Sequence, residues 1–504
     1  MIDTKALREK ILDLAIRGKL VPQDPNDEPA SVLLERIRKQ KQQMVKEGKL
    51  KAKDIKNDTI IFKGDDNLHY EQFQDGTVNC IEDEIPFEIP TTWCWSRLSS
   101  ALDVRDGTHD TPSYVTDGVP LITSKNLNYG KIDYTNVKYI SKDDALRINE
   151  RSGVDVGDIL FAMIGTIGNP SIITDNKLIS IKNVALFKFT FCKELSNNFV
   201  MFYLYCAQED MKKKTLGGLQ PFVSLNFLRS YLIPMPPVNE QHKIASALNE
   251  SLSIANNIDS LKREINTASD LLKSKILDLA IRGKLVPQDP NDEPASVLLE
   301  RIKAEKEELI KQGKIKRDKK ESVIFKGDDN SYYHHIDSGS YVCDLKIDLP
   351  TNWIPCTITD ISYLVGTKEN QIKTNEMKKE GKYPVISQSQ ITIDGYCDFD
   401  DKVIENVPAI LFGDHTRVVK YVDQPFVIGA DGTKIHKIIF ADEKFIYYWM
   451  KCISSRIESK GYSRHYNLLK KSYLLLPPLS EQKRIVEAIE TIFIQLNNIS
   501  DAIV

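Results

Sequence analysis

Apolar residues change their spacing along this chain, and the changes mark its parts. Leu7, Ile11, Leu14 and Ala15 recur at helical intervals, which predicts a helix over residues 5–17 with Gly18 as its stop. The turn VPQDPNDEP follows, and Pro29 stands as the first residue of a second helix that buries Val32, Leu33 and Ile37. That helix runs into RKQKQQMVKEGKLKAKDIK, a basic run expected to form a solvated helix face or a linker. From about residue 85 short apolar runs between turn signals replace the helical pattern. VPLIT, VKYI, DILFAMIG and VALFKFTF predict strands, and FVMFYLYCAQ predicts a helix over residues 198–214. Residues 345–476 repeat the style with other side chains: YPVIS, ITIDGYC, AILFG, RVVKYV, FVIGA and KIHKIIF as strands, EKFIYYWMKCISSRI as the matching helix.

Between these β-rich stretches the pattern turns heptad. Ile244, Ser251, Ile258, Ile265, Leu272 and Leu279 recur every seven residues, with Ala247, Leu248, Ile254, Ala255, Leu261 and Ile276 on adjoining positions. Ile485, Ile489, Ile492, Leu496 and Ile499 keep the register near the C-terminus. Such a run predicts a coiled coil. Residues 240–284 as one helix would span about 67 Å, roughly twenty base pairs of B-DNA. Periodicity alone leaves two uses open: a spacer holding two reading domains on one duplex, or a helical pair that only stabilises the fold.

The chain also contains itself. Residues 10–37, KILDLAIRGKLVPQDPNDEPASVLLERI, reappear without change at 275–302, an internal duplication at an offset of 265. Further anchors pair IFKGDDN at 61–67 with 324–330, Pro90-Thr91-Thr92-Trp93 with Pro350-Thr351-Asn352-Trp353, and PPVNEQHKI at 236–244 with PPLSEQKRI at 477–485. At these offsets Val504 corresponds to Arg263 and Met1 to Asn266, so the chain's two ends laid together regenerate the central segment almost completely, Glu264 and Ile265 alone lacking counterparts. The expectation is an α+β molecule of circular organisation: two mixed α/β domains separated by a pair of long antiparallel coiled-coil helices, related by a pseudo-two-fold axis. Its parts are a helical region and linker at 1–84, a first variable domain at 85–237, a central helical region and linker at 238–344, a second variable domain at 345–476, and a closing helix at 477–504 that packs with the N-terminus.

Composition narrows the class. At 504 residues with 41% hydrophobic and 28% charged residues, the chain reads as several globular domains. No apolar run reaches membrane-spanning length and MIDTKALREK is not a signal peptide, so a cytoplasmic protein is expected. Eight scattered cysteines without a Cys-x-x-Cys pair suit reduced, packed thiols. A net charge of −3 means that any DNA surface must be local or supplied by partners.

The sequence offers little chemistry. It has no phosphate loop of the Gly-x-x-x-x-Gly-Lys-Ser/Thr type and no Gly-rich dinucleotide loop. MPPV and LPPL lack both flanks of the Asn/Asp-Pro-Pro-aromatic motif of amino-methylation, and His334-His335 is read as a pair in a polar loop, not a metal set.

Motifs across nearly the whole chain carry a resemblance. RDGTHDTPSY (105–114), VPLITSKNL and GDILFAMIGTIG in the first variable domain, GKYPVISQSQITIDGY and ILFGDHTRVVKYVDQPFVIGADGTK in the second, the PPxxEQ junctions and LAIRGKLVPQ together resemble the specificity subunit of Type I restriction-modification systems. The resemblance implies a non-catalytic DNA reader without cofactors of its own. Two target-recognition domains would each read half of a bipartite, asymmetric site in double-stranded DNA, and the helices would set the gap. It implies two methyltransferase subunits as partners and restriction subunits joined through that assembly. S-adenosylmethionine, ATP and Mg²⁺ would belong to those partners. A helical scaffold with protein-binding β-rich domains and a fused DNA-modifying enzyme are the alternatives.

Base edges are read by Arg, Lys, Asn and Gln, helped by Ser, Thr and His, so polar turns between strands supply the candidates. In the first domain they are Arg105, Thr108, His109, Thr111, Ser124, Lys125, Asn126, Gln220 and Ser224, with Lys212, Lys213 and Lys214 expected to meet phosphates. In the second they are Lys368, Asn370, Gln371, Ser387, Gln388, Ser389, Gln390, His415, Thr416, Arg417, Arg464 and His465.

Overall fold

The computed structural model describes residues 2–128, 130–214, 221–317, 322–329, 331–336, 339–343, 349–429, 431–458 and 464–503. The chain divides into two compact units, Ile2–Leu261 and Lys262–Val504, and the division falls inside one 44-residue helix, Val238–Ile281. That helix can be so long because no Gly or Pro interrupts it: Pro236-Pro237 precede it, and Gly283, at φ +66°, follows.

In the first unit Asp3 caps the helix Thr4–Ile16, its carboxylate accepting the N–H groups of Lys5 and Ala6. The helix Ala30–Lys46 buries Ala30, Leu33, Ile37 and Lys41, whereas Val32, expected inside, is 41% exposed. Lys41 also corrects the expectation of a wholly solvated basic run. Its ammonium donates to Asp58 Oδ2 (2.8 Å) and Ser99 O (2.6 Å) and lies over the Phe191 ring, while burial pulls its pKa down against the pull of Asp58.

Two stretches expected as linkers carry β-structure instead. Ile60–Lys63, His69–Gln72 and Val78–Cys80 form a three-stranded antiparallel sheet, and Ser322–Lys326, Tyr332–Ile336 and Gly339–Val342 form another. His334 and His335 therefore sit on a strand, and His334 is buried with its Nδ1 3.3 Å from the Tyr473 hydroxyl.

The two β-rich domains share one plan. In the first, an antiparallel sheet has the order Gly168–Ile172, Ile159–Ala162, Val184–Lys188, Asp103–Asp106. In the second the order is Val419–Val422, Ala409–Gly413, Thr433–Ile438, Ser362–Val365, the same sequence of roles. Each domain adds a second sheet containing one parallel pair, Ser180–Ile181 beside Val119–Ile122 and Val427–Ile428 beside Tyr383–Ile386. Each packs one long helix on its core, Asn197–Lys213 or Glu443–Arg456, and each is closed by pairing its entering and leaving strands: Cys94–Arg97 with Leu232–Met235, and Ile354–Thr357 with Tyr473–Leu476.

The repeated motifs meet where domain joins helix. In the first unit the Trp93 indole N–H donates to Glu240 Oε2 (2.9 Å), and the Gln23 amide donates to Glu240 Oε1. Gln241, fully buried, accepts from Ser196 N (3.1 Å) and donates to Pro236 O (2.9 Å). In the second unit Trp353 and Gln288 donate to Glu481 (2.9 and 2.7 Å), and Gln482 accepts from Asp442 N (2.8 Å) and donates to Pro477 O (2.8 Å). Burial pushes both glutamate pKa values up, and the donors oppose it. The turn glycines fit only as glycines: a Cβ on Gly18 would lie 2.5 Å from Pro90, and one on Gly283 2.8 Å from Pro350.

Within each unit the helices run antiparallel. Thr4 and Arg8 reach Asp259 (2.6 Å each) while Gln23 reaches Glu240; Lys273 reaches Asn497 (2.7 Å) while Gln288 reaches Glu481. The heptad expectation needs correction in detail, since Ile254, Leu261, Leu272 and Ile499 are 54, 56, 51 and 51% exposed. The buried line instead passes through Ile244, Leu248 and Ala255, then Ser269, Leu277 and Ala280. A strict count of seven drifts from a helix that advances 3.6 residues per turn.

Candidate nucleic-acid interface

In the first domain the turn after Asp103–Asp106 is stitched to the turn before Val184–Lys188. Gly107 N donates to Val184 O (2.9 Å), Asn183 N to Thr108 O (3.1 Å) and Lys182 N to Ile122 O (2.9 Å). The approach is close enough that a Cβ on Gly107 would lie 2.3 Å from Ile181 O. Exposed His109 stands between Asp106 and Asn183, its ring nitrogens 3.0 Å from each side chain, and the Lys182 ammonium donates to Thr111 Oγ1. Thr108, His109 and Thr111 thus share one polar ledge, and Ser124 and exposed Lys125 follow Ile122 beside it.

Two neighbours are turned inward. The Arg105 guanidinium donates to Asp103 (2.7 and 3.0 Å) and to Arg151 O (3.0 Å), and its hydrogen bonds to Asp103 hold its pKa up. Asn126, 6% exposed, accepts from Thr123 N (3.0 Å) and donates to Asp133 O (3.1 Å), which makes it a brace of its turn.

A second group lies beside the strand Ile159–Ala162, whose following loop is tied to the segment before the helix Leu225–Ser230 by Val223 N to Met163 O (2.9 Å). Ser224 caps that helix by accepting from Phe227 N (3.1 Å). Lys212 and Lys214 pair with Glu209 (2.6 Å) and Asp210 (2.8 Å) at the end of Asn197–Lys213, and Lys213 is exposed. Gln220 lies outside the described residues.

The second domain gathers its candidates around Gln388. Its side-chain nitrogen donates to Asp431 O (2.7 Å), its side-chain oxygen accepts from His415 N (3.1 Å), and its backbone oxygen accepts from Thr416 Oγ1 (2.7 Å). Gln371 joins the same node through Asp431: its amide, oriented to suit both groups, donates to Asp431 Oδ1 (2.9 Å) and accepts from Asp431 N (3.0 Å). Ser387, buried, accepts from Ser389 N (3.1 Å), Ser389 Oγ donates to Ile391 O (3.2 Å), and Gln390 is exposed. Asn370 bonds to Thr367 N and Lys402 O beside exposed Lys368.

Below the node, Arg417, at φ +62°, donates to Ile457 O. His465, expected on the surface, is a correction at 1% exposure: its N–H donates to Asp414 O (2.8 Å), and Tyr466 N donates to Asp414 Oδ1 (2.8 Å). Its neighbour Arg464 is exposed. His465, Asn126 and Ser387 are buried within these loops and brace them.

Sequence reasoning passed over Lys182, Asn183, Asp414 and Asp431, the residues that tie the loops together. The signal available was turn chemistry: Asn183 takes φ +53°, and Asp431 precedes Gly432 at φ +79°. Chemically, both ends offer amide, hydroxyl, imidazole and basic groups on short loops at strand ends. Among the described residues no three His, Cys, Asp or Glu are placed to hold a metal ion.

The family model described as the Type I restriction modification DNA specificity domain matches residues 117–267 and again 350–503, more than half of the chain. This chain belongs to that specificity family. The second match takes in the whole second β-rich domain and the helix after it, with Trp353 and Glu481; the first begins past Trp93, at residue 117, and ends at 267 within the helix Val238–Ile281. The Type I restriction enzyme EcoAI specificity subunit of Escherichia coli is 30% identical over 367 residues, 62% of this chain and 58% of that one. The EcoEI specificity subunit of Escherichia coli is 30% identical over 368 residues, 62% and 57%. The chain thus spans a little under three-fifths of the length of these curated relatives. Among solved structures, the HsdS subunit from Thermoanaerobacter tengcongensis is 16% identical with a TM-score of 0.47, over 83% of this chain and 93% of that one. No helix among the described residues of this specificity-family chain is long and apolar enough to cross a membrane.

Proposed function

We propose that this chain reads DNA for a Type I restriction-modification complex in the cytoplasm and performs no catalysis itself. One observation carries the reading: two domains with one strand order bear loops of unlike chemistry, a histidine–threonine–lysine ledge in one and a glutamine-centred node in the other. Domains built alike and lined differently suit the same task on different sequences. Each would inspect one half of a bipartite, asymmetric site through the major groove, where every base pair has its own donor and acceptor pattern. The paired helices would form an antiparallel coiled coil with pseudo-two-fold symmetry and fix the unread gap. A helix of 44 residues is about 66 Å long, roughly twenty base pairs. Its two equivalent helical surfaces would take two methyltransferase subunits, with restriction subunits joining through them. S-adenosylmethionine, ATP and Mg²⁺ would act on those partners. Methylome sequencing of a host expressing the chain with its methyltransferase tests this. The expected result is one motif with two dissimilar half-sites at a fixed gap; a continuous motif, or none, would overturn it.

A further inference from the structure

Each unit keeps the same aromatic row on the outer face of its three-stranded sheet. The strand register sets Phe62 opposite Tyr70 and Tyr70 opposite Cys80; in the other unit it sets Phe325 opposite Tyr333 and Tyr333 opposite Val342. The Phe62 and Tyr70 rings stack at 5.9 Å and 26°, and Phe325 and Tyr333 at 5.7 Å and 21°. Both tyrosine hydroxyls donate to the same turn aspartate, Tyr70 to Asp66 (2.7 Å) and Tyr333 to Asp329 (2.8 Å). The opposite face of each sheet points into its unit: Ile61 and Glu71 are buried in the first and His334 in the second. The aromatic faces stay outside, with Phe62 41%, Phe325 44% and Val342 57% exposed.

A lone exposed apolar residue calls for no explanation. The same row kept twice does, because the positions around it have diverged: Leu68, Glu71 and Gln72 correspond to Ser331, His334 and His335. An occupant that meets both units must present the same surface to each. DNA does not fit, since Asp65 and Asp66 beside one row and Asp328 and Asp329 beside the other would repel phosphate. We propose that the two sheets add a second contact, beside the helical surfaces, for the two methyltransferase subunits, one on each, engaged through an apolar patch rimmed by basic side chains. The proposal rests on the function argued above, which supplies one protein partner in two copies. Stacked aromatic pairs are the kind of anchor that concentrates binding energy at such interfaces.

The test is a titration of the purified full chain with the methyltransferase subunit, with stoichiometry read by native mass spectrometry and affinity by sedimentation. The unmodified chain takes up two subunits. Phe62→Ser weakens one site about tenfold or more and spares the other, Phe325→Ser does the same to the second, and the double variant weakens both. Asp65→Lys with Asp328→Lys, in exposed turns that leave the sheets alone, weakens both sites by repelling the basic rim. Folded variants of both kinds that still bind two subunits at unchanged affinity would overturn the docking faces and leave DNA reading standing. An unmodified chain that takes up no methyltransferase would overturn both.

Discussion

Gln388 occupies a turn where an amide could read a base, yet both ends of its own amide are engaged, one with Asp431 and one with His415. Its effect on DNA would therefore run through the loops it joins. Gln388→Ala is expected to relax sequence preference in one half-site and leave the other unchanged, measured by selection from randomised duplexes; uniform loss across all sequences would reassign it to phosphate contact or folding. His436 shows a different cost. It lies fully buried opposite Ile410 and Leu364, where the first domain's register puts Leu186 opposite Leu160 and Arg105. Ser362 Oγ donates to Ile358 O, so the imidazole Nδ1, 2.8 Å away, carries the hydrogen it donates to that oxygen. Burial, helped by Lys470 and Lys434, pulls the His436 pKa down to about 3. Below the ordinary value near 6.5 the unfolded chain takes up a proton that the fold refuses, so stability is lost as pH falls from about 6.5 toward 3. His436→Leu removes that loss, and circular dichroism across an acid titration should show unfolding displaced to lower pH.

At the scale of elements, the junction of Trp93 with Glu240, and of Trp353 with Glu481, holds each domain on its helix. Replacing either tryptophan by Phe keeps one aromatic ring but removes the second ring and the N–H that a buried carboxylate accepts, which should cost at least about 1–3 kcal/mol by urea unfolding, similarly in both units. These junctions were legible as repeated motifs, because identical residues at matching offsets announce a shared role. Helices and most central strands were legible too, since a buried face imposes a period of 3.6 or 2. The three-stranded sheets were not. Their Gly-Asp-Asp turns lie in a charged stretch, and Phe62 and Phe325 face outward, so no buried stripe announces a strand. Lys41 was hidden for the converse reason: one lysine of a basic run turns inward to meet Asp58, a partner supplied only by the fold. At the loops, sequence supplied the polar residue types, but which amides are engaged internally depends on hydrogen bonds between segments, as with Gln371 and Asp431.

For the whole molecule, the proposed function makes the central helix a measure of distance. Seven residues inserted after Ile258 preserve the buried face nearly unchanged and add about 10 Å, roughly three base pairs. The methylome should then show the same half-sites with the gap widened by about that amount; an unchanged gap would separate spacing from helix length. The junctions carry a consequence of their own. A stretch running from the tryptophan of the PTTW or PTNW turn to the glutamine of PPxxEQ brings its own fastenings, and the sockets that receive them, Gln23 and Gln288 among them, are alike. A foreign stretch bearing the same fastenings would seat in either slot, so under the proposed function new specificities would arise by exchanging cassettes rather than by remaking an interior.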